Sequence, residues 1–129
     1  MDNHSKTALI VEDDYSIYHV LDLMLQFKNI VSYHADSLSA TNSLINDISP
    51  DLIFLDHCLP DGFGIEMVPE LRKAFSGSRI IIMTAQNTPA NKSQALANGS
   101  DYFLEKPFTL NDVYESISTQ SEKSLSDIS

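Results

Sequence analysis

Acidic residues follow two of the apolar segments in this chain, at the point where each segment stops. The segment Thr7–Val11 runs directly into Glu12 and Asp13, and the apolar run 52–55 runs into Asp56. Carboxylates gathered at one place repel one another unless a cation accompanies them. Carboxylate oxygens are also the protein ligands that Mg²⁺ prefers. The sequence therefore predicts a Mg²⁺ site that contains Glu12, Asp13 and Asp56.

A hydroxyl and an ammonium group follow two later apolar segments. Thr84 comes after the run 79–83, and Lys106 lies just beyond a short apolar segment that starts at Tyr102. A carboxylate such as Asp56 can act as a nucleophile, and positive or hydrogen-bonding groups beside it stabilise the charge of an incoming phosphoryl group. This inventory predicts that Asp56 takes up a phosphoryl group while Thr84 and Lys106 receive its charge.

Five apolar segments alternate along the chain with segments of helical periodicity. Continuous apolar runs, as opposed to alternating ones, are typical of parallel strands that are covered on both faces. Right-handed connections place the carboxyl ends of such strands at one edge of the sheet. The sequence therefore predicts an α/β fold with a five-stranded parallel sheet and helices on both faces. The expected strands are 7–11, 30–34, 52–55, 79–83 and 102–104.

The predicted helices carry recognisable start signals. Ser37, Thr88 and Thr109 are N-cap residues, because their side-chain oxygens can accept hydrogen bonds from the first turn. Pro69 lies in the third helical segment. Since proline costs a helix interior about 3 kcal/mol, regular helix is expected to begin close to Val68. The first helix, over residues 15–28, is expected to bury Ile17, Val20, Leu21, Met24 and Phe27.

Composition narrows the class of protein. A chain of 129 residues forms one domain, here residues 1–120, and the polar residues 121–129 predict a flexible tail or the start of a linker. The net charge of −10 predicts no direct nucleic-acid binding. No apolar run reaches the roughly 20 residues of a membrane span, and residues 1–6 lack the apolar core that is typical of a signal peptide. A cytoplasmic protein without membrane contact is expected.

Four motifs give the chain a resemblance to a known family. In order along the chain they are LIVEDD (9–14), FLDHCLPDGFG (54–64), IIMTA (81–85) and EKPF (105–108). The chain resembles the CheY-like receiver domain of bacterial two-component response regulators. The resemblance implies a flavodoxin-like (βα)5 fold and Mg²⁺-dependent transfer of a phosphoryl group to Asp56 from the phosphohistidine of a sensor histidine kinase or phosphotransfer protein. It also implies that the domain catalyses only its own phosphorylation and dephosphorylation.

The resemblance assigns roles around the metal. Asp13 and Asp56 match direct ligands, Glu12 matches an acid that acts through water, and the backbone carbonyl of Cys58 matches the third protein ligand. Asp14 falls on a more variable position, and a solvated or helix-capping carboxylate is the favoured interpretation of it.

The resemblance also implies a switch. Thr84 matches the hydroxyl that turns toward the phosphate, Lys106 matches the ammonium, and Phe103 matches an aromatic residue that changes rotamer. Phe103 replaces a tyrosine that is frequent there, and simple core packing is its alternative role. The bond between Lys106 and Pro107 is expected to be cis. Signal output to a downstream protein target or effector domain is expected through the fourth helix, fifth strand and fifth helix, residues 88–119.

Other interpretations stay open from the residues alone. A Mg²⁺-dependent phosphatase with an aspartyl nucleophile would use similar acids, although the chain lacks the DxDx[TV] pattern typical of one such class. A phosphate-independent binding module would carry the same acids without using them. His57 and Cys58 lack the four ligands of a tetrahedral metal site. His4, His19 and His34 are expected on the surface.

Overall fold

The central feature of the fold is one five-stranded parallel sheet. A computed structural model describes residues 6–118. The strands of this region are β1 (Thr7–Val11), β2 (Val31–Ala35), β3 (Leu52–Asp56), β4 (Cys58–Leu59), β5 (Gly62–Phe63), β6 (Arg79–Thr84) and β7 (Tyr102–Glu105). The helices are α1 (Tyr15–Gln26), α2 (Leu38–Leu44), α3 (Gly64–Ala74), α4 (Pro89–Asn98) and α5 (Leu110–Ser116). Residue 120, where the predicted domain ends, and the predicted tail lie outside the described residues.

The order of the strands confirms the predicted fold class. The main sheet has the order β2-β1-β3-β6-β7, and all of its pairs are parallel. This order is that of the flavodoxin-like doubly wound fold. In the register of the sheet, Asp56 lies opposite Met83 and Thr84 lies opposite Glu105. The carboxyl ends of the strands therefore share one edge, as the sequence predicted.

The sheet separates two apolar cores. On one face, α1 and α5 pack against the sheet, and on the other face α2, α3 and α4 do so. The first core contains Leu21 and Leu25 of α1 and Val113 of α5, while the second contains Leu71 of α3 and Ala95 of α4. Burial of such side chains stabilises the fold by roughly 1.5–3 kcal/mol each. Within the described residues, no helix is long and apolar enough to cross a membrane.

The buried face of α1 differs from the prediction. Leu21 and Leu25 are fully buried, but Phe27 is 80% exposed and Val20 is 47% exposed. The helix ends at Gln26, and Asn29 then adopts a positive φ of 62°. Phe27 therefore follows the last regular turn and points away from the core. The 3.6-residue period of apolar residues predicted the helix correctly. The apolar face of α1 is, however, wider than the surface that the sheet covers.

The loop that follows Asp56 forms a small hairpin that the sequence analysis did not predict. Strands β4 and β5 pair antiparallel, with Cys58 opposite Phe63. The turn residue Asp61 accepts hydrogen bonds from the backbone N–H groups of Leu38 at 2.9 Å and Ser39 at 3.0 Å. These bonds lower the pKa of Asp61. The hairpin is therefore tied to the N-terminus of α2 by a carboxylate at the positive end of the helix.

Helix α3 begins at Gly64, so the prediction that it begins close to Val68 is wrong. Pro69 lies inside the helix and cannot donate a hydrogen bond to the carbonyl of Ile65. That carbonyl instead accepts a 2.9 Å hydrogen bond from the Nδ2 atom of Asn98, at the end of α4. A neighbouring helix thus supplies the donor that proline lacks, and α3 continues through it.

The predicted helix caps are confirmed. The side chains of Ser37, Thr88 and Thr109 each accept a hydrogen bond from the first turn of the following helix. Gly99 ends α4 with a φ of 113°, which favours glycine. The bond between Lys106 and Pro107 is cis, as the resemblance implied.

Candidate functional site

Three carboxylates meet at the carboxyl edge of the sheet. Glu12 follows β1 and is only 1% exposed, and Asp56 ends β3 and is 5% exposed. Asp13, the next residue after Glu12, is exposed. One oxygen from each of the three carboxylates lies within 4.8 Å of the other two. The structure thus brings together the three acids that the sequence analysis selected.

Lys106 joins two of these acids. Its Nζ atom lies 2.8 Å from Oε1 of Glu12 and 3.2 Å from Oδ1 of Asp56. The backbone N–H of Lys106 donates to the carbonyl of Thr84 at 2.9 Å, which fixes the start of the loop after β7. One ammonium therefore partly neutralises two largely buried carboxylates. Its two charge-assisted hydrogen bonds offset part of the free energy that burial of these charges costs.

The pKa values in this cluster reflect burial and mutual charge. The pKa of Glu12 is raised to about 7, chiefly by burial and also by the charge of the neighbouring Asp56, although the hydrogen bond from Lys106 lowers it. Burial alone would lower the pKa of Lys106, but the hydrogen bond to Glu12 and the charge of Asp56 raise it overall. Lys106 therefore stays charged, while one positive charge is not enough to keep Glu12 at its ordinary acidity.

The backbone around Glu12 orients its carboxylate. Its N–H donates to the carbonyl of Ala35 at 3.0 Å, and its Oε2 atom accepts from the N–H of Asp14 at 3.1 Å. The carboxylate of Asp14 in turn caps α1 by accepting from Ser16 and Ile17. Asp14 thus has the capping role that the sequence favoured, and it is not among the clustered acids.

Thr84 and Phe103, the two predicted switch residues, lie on neighbouring strands. Thr84 is buried, and its Oγ1 atom accepts a 2.9 Å hydrogen bond from the N–H of Gln86. Phe103 is half-buried and packs against the core under α3 and α4, with Nζ of Lys92 5.9 Å from its ring centroid. These contacts fit core packing for Phe103, and its rotamer switch stays a prediction.

The hairpin packs tightly against the end of β3. A Cβ atom added to Gly64 would lie 2.1 Å from the carbonyl oxygen of Asp56, so only glycine fits there. Cys58 is exposed and is not in a disulfide. His57 is buried and stacks on Phe63 at 5.0 Å, and burial lowers its pKa. The part played by Gly64 escaped the sequence analysis, although a glycine directly before the third helical segment was a signal for close packing.

His34 is the other residue near the site that the sequence analysis passed over. It was expected on the surface with His4 and His19, and His19 is indeed exposed, while His4 lies outside the described residues. His34 is half-buried, and its Nε2 atom lies 2.8 Å from the carbonyl oxygen of Glu12. No sequence signal pointed to this contact, because it joins two strands through a side chain.

The chemistry of the donor set fits a divalent cation. All three clustered groups are carboxylates, which are hard oxygen donors suited to Mg²⁺ or Ca²⁺ and poorly suited to softer metals. The three carboxylates have only the ammonium of Lys106 beside them, which contacts two of the three. Glu12, Asp13 and Asp56 therefore form a site that a divalent cation would stabilise.

An apolar hollow lies next to the acidic cluster. Its volume is about 390 Å³. It is lined by Ser16, Ile17, Val20, Ala85, Lys106, Pro107 and Phe108. It therefore lies between α1 and the loop before α5, and Lys106 borders both the hollow and the acidic cluster.

Comparison with known proteins points to one family. A family model described as response regulator receiver domain matches residues 8–118. The KDP operon transcriptional regulatory protein KdpE of Escherichia coli (strain K12) is 35% identical over 106 residues, which are 82% of this chain and 47% of KdpE. The chain thus spans about half the length of this relative.

Solved structures share the fold. A CheY-like response regulator receiver domain protein from Methanospirillum hungatei JF-1 has a TM-score of 0.83 at 26% identity, with 96% of each chain covered. A response regulator protein from Burkholderia pseudomallei, crystallised with a phosphorylated aspartic acid, a calcium ion and citrate, has a TM-score of 0.85 at 19% identity. That match covers 97% of this chain and 74% of the other.

Proposed function

This chain belongs to the family of response regulator receiver domains, which are phosphoryl-accepting signalling switches, and on that premise we propose that Asp56 is its phosphoryl acceptor. The observation that carries the proposal is the contact of Lys106 with both Asp56 and Glu12, at 3.2 Å and 2.8 Å. It places a fixed positive charge beside the one buried carboxylate that ends the central strand β3. A phosphoryl group attached there would meet an ammonium group already in place.

We propose Mg²⁺ as the cation of this site, with Asp13 and Asp56 as ligands, the backbone carbonyl of Cys58 as a third, and Glu12 acting through water. The acidic cluster supports this proposal, and so does the calcium ion in the response regulator protein from Burkholderia pseudomallei, which also carries a phosphorylated aspartic acid. When bound, Mg²⁺ would supply positive charge to the oxygens of the transferred phosphoryl group.

The transfer follows from the side chains. An oxygen of Asp56 attacks the phosphorus of a phosphohistidine, the new O–P bond forms as the P–N bond breaks, and the imidazole leaves with the electron pair and takes up a proton. Lys106 neutralises negative charge on the acyl phosphate. The Oγ1 atom of Thr84 accepts from Gln86, so its hydrogen is free to be donated to a phosphoryl oxygen. If the side chain of Thr84 turns toward the phosphoryl group, its contact with the N–H of Gln86 would be strained or broken, and phosphorylation would be transmitted to the loop before α4.

The phosphodonor is proposed to be a sensor histidine kinase or a phosphotransfer protein. The apolar hollow supports this, because Lys106 borders both the hollow and the acidic cluster, so a protein docked in the hollow would lie close to Asp56. Exposed apolar side chains of α1 continue the surface, notably Val20 and Leu23.

Output through α4, β7 and α5 to a downstream protein target or effector domain is part of the same proposal. KdpE is a transcriptional regulator and this chain spans about half of it, so the predicted absence of direct nucleic-acid binding rests on the net charge of −10 alone.

We further propose that the domain catalyses no reaction beyond its own phosphorylation and dephosphorylation. A cytoplasmic location stays a prediction.

The proposal is tested with acetyl phosphate as the donor and intact-mass spectrometry as the readout. The protein should gain one phosphoryl group only when Mg²⁺ is present, and Asp56→Asn should remove the gain. Cys58→Ser is a matched control, since it changes a neighbouring side chain and keeps the backbone carbonyl. A mass gain that survives Asp56→Asn would contradict the assignment. Steady turnover of a generic phosphate ester would favour the phosphatase alternative, and failure to bind Mg²⁺ would favour a phosphate-independent module.

A further inference from the structure

A histidine of the edge strand contacts the main chain of the acidic cluster. His34 lies in β2, and its Nε2 atom is 2.8 Å from the carbonyl oxygen of Glu12. A carbonyl oxygen can only accept a hydrogen bond, so Nε2 must carry the hydrogen and donate it. The contact is partly buried and joins residues 22 positions apart.

Aromatic side chains of α1 hold the ring of His34 in place. The ring stacks on Tyr18 with centroids 3.9 Å apart and planes inclined by 12°. Tyr15 lies on the same ring at a centroid distance of 5.9 Å. His34 is thus packed between β2 and α1, and its donor nitrogen is directed at one acceptor.

The bond completes the attachment of Glu12 to β2. The N–H of Glu12 donates to the carbonyl of Ala35 at 3.0 Å, and its carbonyl accepts from His34. Both backbone polar groups of this residue are therefore bound by consecutive residues of one strand. The Glu12 carbonyl also belongs to the peptide group that continues into Asp13, so fixing that peptide plane restrains where both acids lie.

We propose that His34 is a positioning residue for the acidic cluster, which acts by holding the peptide group between Glu12 and Asp13. The inference rests on the proposed function, because it assigns a role in cation binding and phosphoryl uptake at the same site. Without the donor, the peptide group gains rotational freedom, and the positions of Glu12 and Asp13 relative to each other are less restrained. Groups that orient metal ligands through hydrogen bonds commonly contribute to metal affinity.

Two substitutions separate the donor from the ring. His34→Phe keeps a flat ring against Tyr18 and removes the donor, whereas His34→Gln keeps an N–H donor at a similar reach and removes the ring. The dissociation constant for Mg²⁺, measured by isothermal titration calorimetry, should rise roughly threefold to tenfold in His34→Phe. It should stay close to the wild-type value in His34→Gln, even though loss of the stack lowers the melting temperature of that variant.

A second readout needs no metal. The N–H of Asp14 donates to Oε2 of Glu12, so its hydrogen exchange in EDTA reports how firmly this turn is held. Exchange at Asp14 should be faster in His34→Phe than in wild type and unchanged in His34→Gln.

The outcomes distinguish the positioning role from the proposed function. Wild-type exchange at Asp14 in His34→Phe, or equal losses of Mg²⁺ affinity in both variants, would overturn the positioning role and leave only packing. Wild-type protein that binds Mg²⁺ but takes no phosphoryl group would contradict the proposed function, while the affinities and exchange rates of the two variants would still decide the role of His34.

Discussion

The Nζ atom of Lys106 lies 2.8 Å from Oε1 of Glu12, although the two residues are 94 positions apart in the chain. The same ammonium is 3.2 Å from Oδ1 of Asp56, so it is closer to the acid that is proposed to act through water than to the proposed acceptor. In this state Glu12 therefore holds the positive charge beside Asp56. A phosphoryl group on Asp56 would compete with Glu12 for that charge, which links the acceptor to the loop after β1.

Removal of the Lys106 ammonium should lower the stability of the fold. Lys106→Met leaves two largely buried carboxylates without a cation, and in EDTA at pH 8 it should destabilise the protein by about 1–3 kcal/mol. The double variant Glu12→Gln, Lys106→Met should recover part of this loss, because one of the unpaired charges is gone. Urea denaturation of the four proteins in the cycle gives the coupling free energy. Strictly additive effects would contradict an interaction between the two residues.

The raised pKa of Glu12 predicts that, when no metal is bound, the free energy of unfolding decreases as the pH rises. The folded-state pKa is about 7, against 4.5 for the unfolded group, so the folded protein binds more protons between these pH values. Stability then decreases as the pH rises through that window. Glu12→Gln cannot ionise, so in EDTA at pH 8 it should be more stable than wild type by about 1–3 kcal/mol.

The measurement is the difference in unfolding free energy between Glu12→Gln and wild type, followed from pH 5 to pH 8. The other carboxylates are common to both proteins and cancel in this difference. It should shrink toward zero near pH 5. Two parallel profiles would show that Glu12 titrates in its ordinary range.

Divalent cations should stabilise the wild-type fold. If millimolar Mg²⁺ occupies the acidic cluster, the folded state gains about 1–3 kcal/mol, which a rise in melting temperature reports. Asp13→Asn should abolish most of this rise. Asp14→Asn is the matched control, because asparagine also caps helices and Asp14 lies outside the cluster. An equal loss in both variants would show that general negative charge, and not a defined site, accounts for the stabilisation.

Gly64 should tolerate no larger side chain. Gly64→Ala places a Cβ atom 2.1 Å from the carbonyl oxygen of Asp56, so the hairpin or the end of β3 must move. We expect a loss of at least about 2 kcal/mol in unfolding free energy. Gly77→Ala is the control, since no atom lies within 4 Å of its added Cβ, and it should be near neutral. Comparable losses at both positions would contradict the packing argument.

Asn98 should stabilise the fold by donating to a carbonyl that Pro69, which has no N–H, leaves without a backbone donor. Asn98→Ala leaves the carbonyl of Ile65 without its donor and should cost about 1 kcal/mol. In a Pro69→Ala background the backbone N–H at position 69 can donate to the same carbonyl, so the cost of Asn98→Ala should fall. Chemical denaturation of the two single variants and the double variant tests this. An unchanged cost would mean that Asn98 acts through other contacts.

Much of the fold could be predicted because the signals are local. Apolar runs gave the five strands of the main sheet, and Ser37, Thr88 and Thr109 gave three helix starts, since a cap depends on a residue and its next few neighbours. Strand ends also selected Glu12, Asp13 and Asp56, because a parallel sheet brings its carboxyl ends to one edge whatever the loops do.

What the sequence could not determine depends on atoms far apart along the chain. Pro69 predicted a late start of α3, but the helix begins at Gly64, and Asn98 of α4 donates to the Ile65 carbonyl that Pro69 leaves without a backbone donor. The carboxylate of Asp61 accepts a hydrogen bond from the N-terminus of α2, and His34 donates one to the carbonyl of Glu12. No local sequence pattern encodes these two contacts. The chain alone thus determined which groups share an edge, because strand direction follows from local periodicity. Tertiary packing decided which of them touch, because a hydrogen bond needs its partners placed to within a fraction of an ångström.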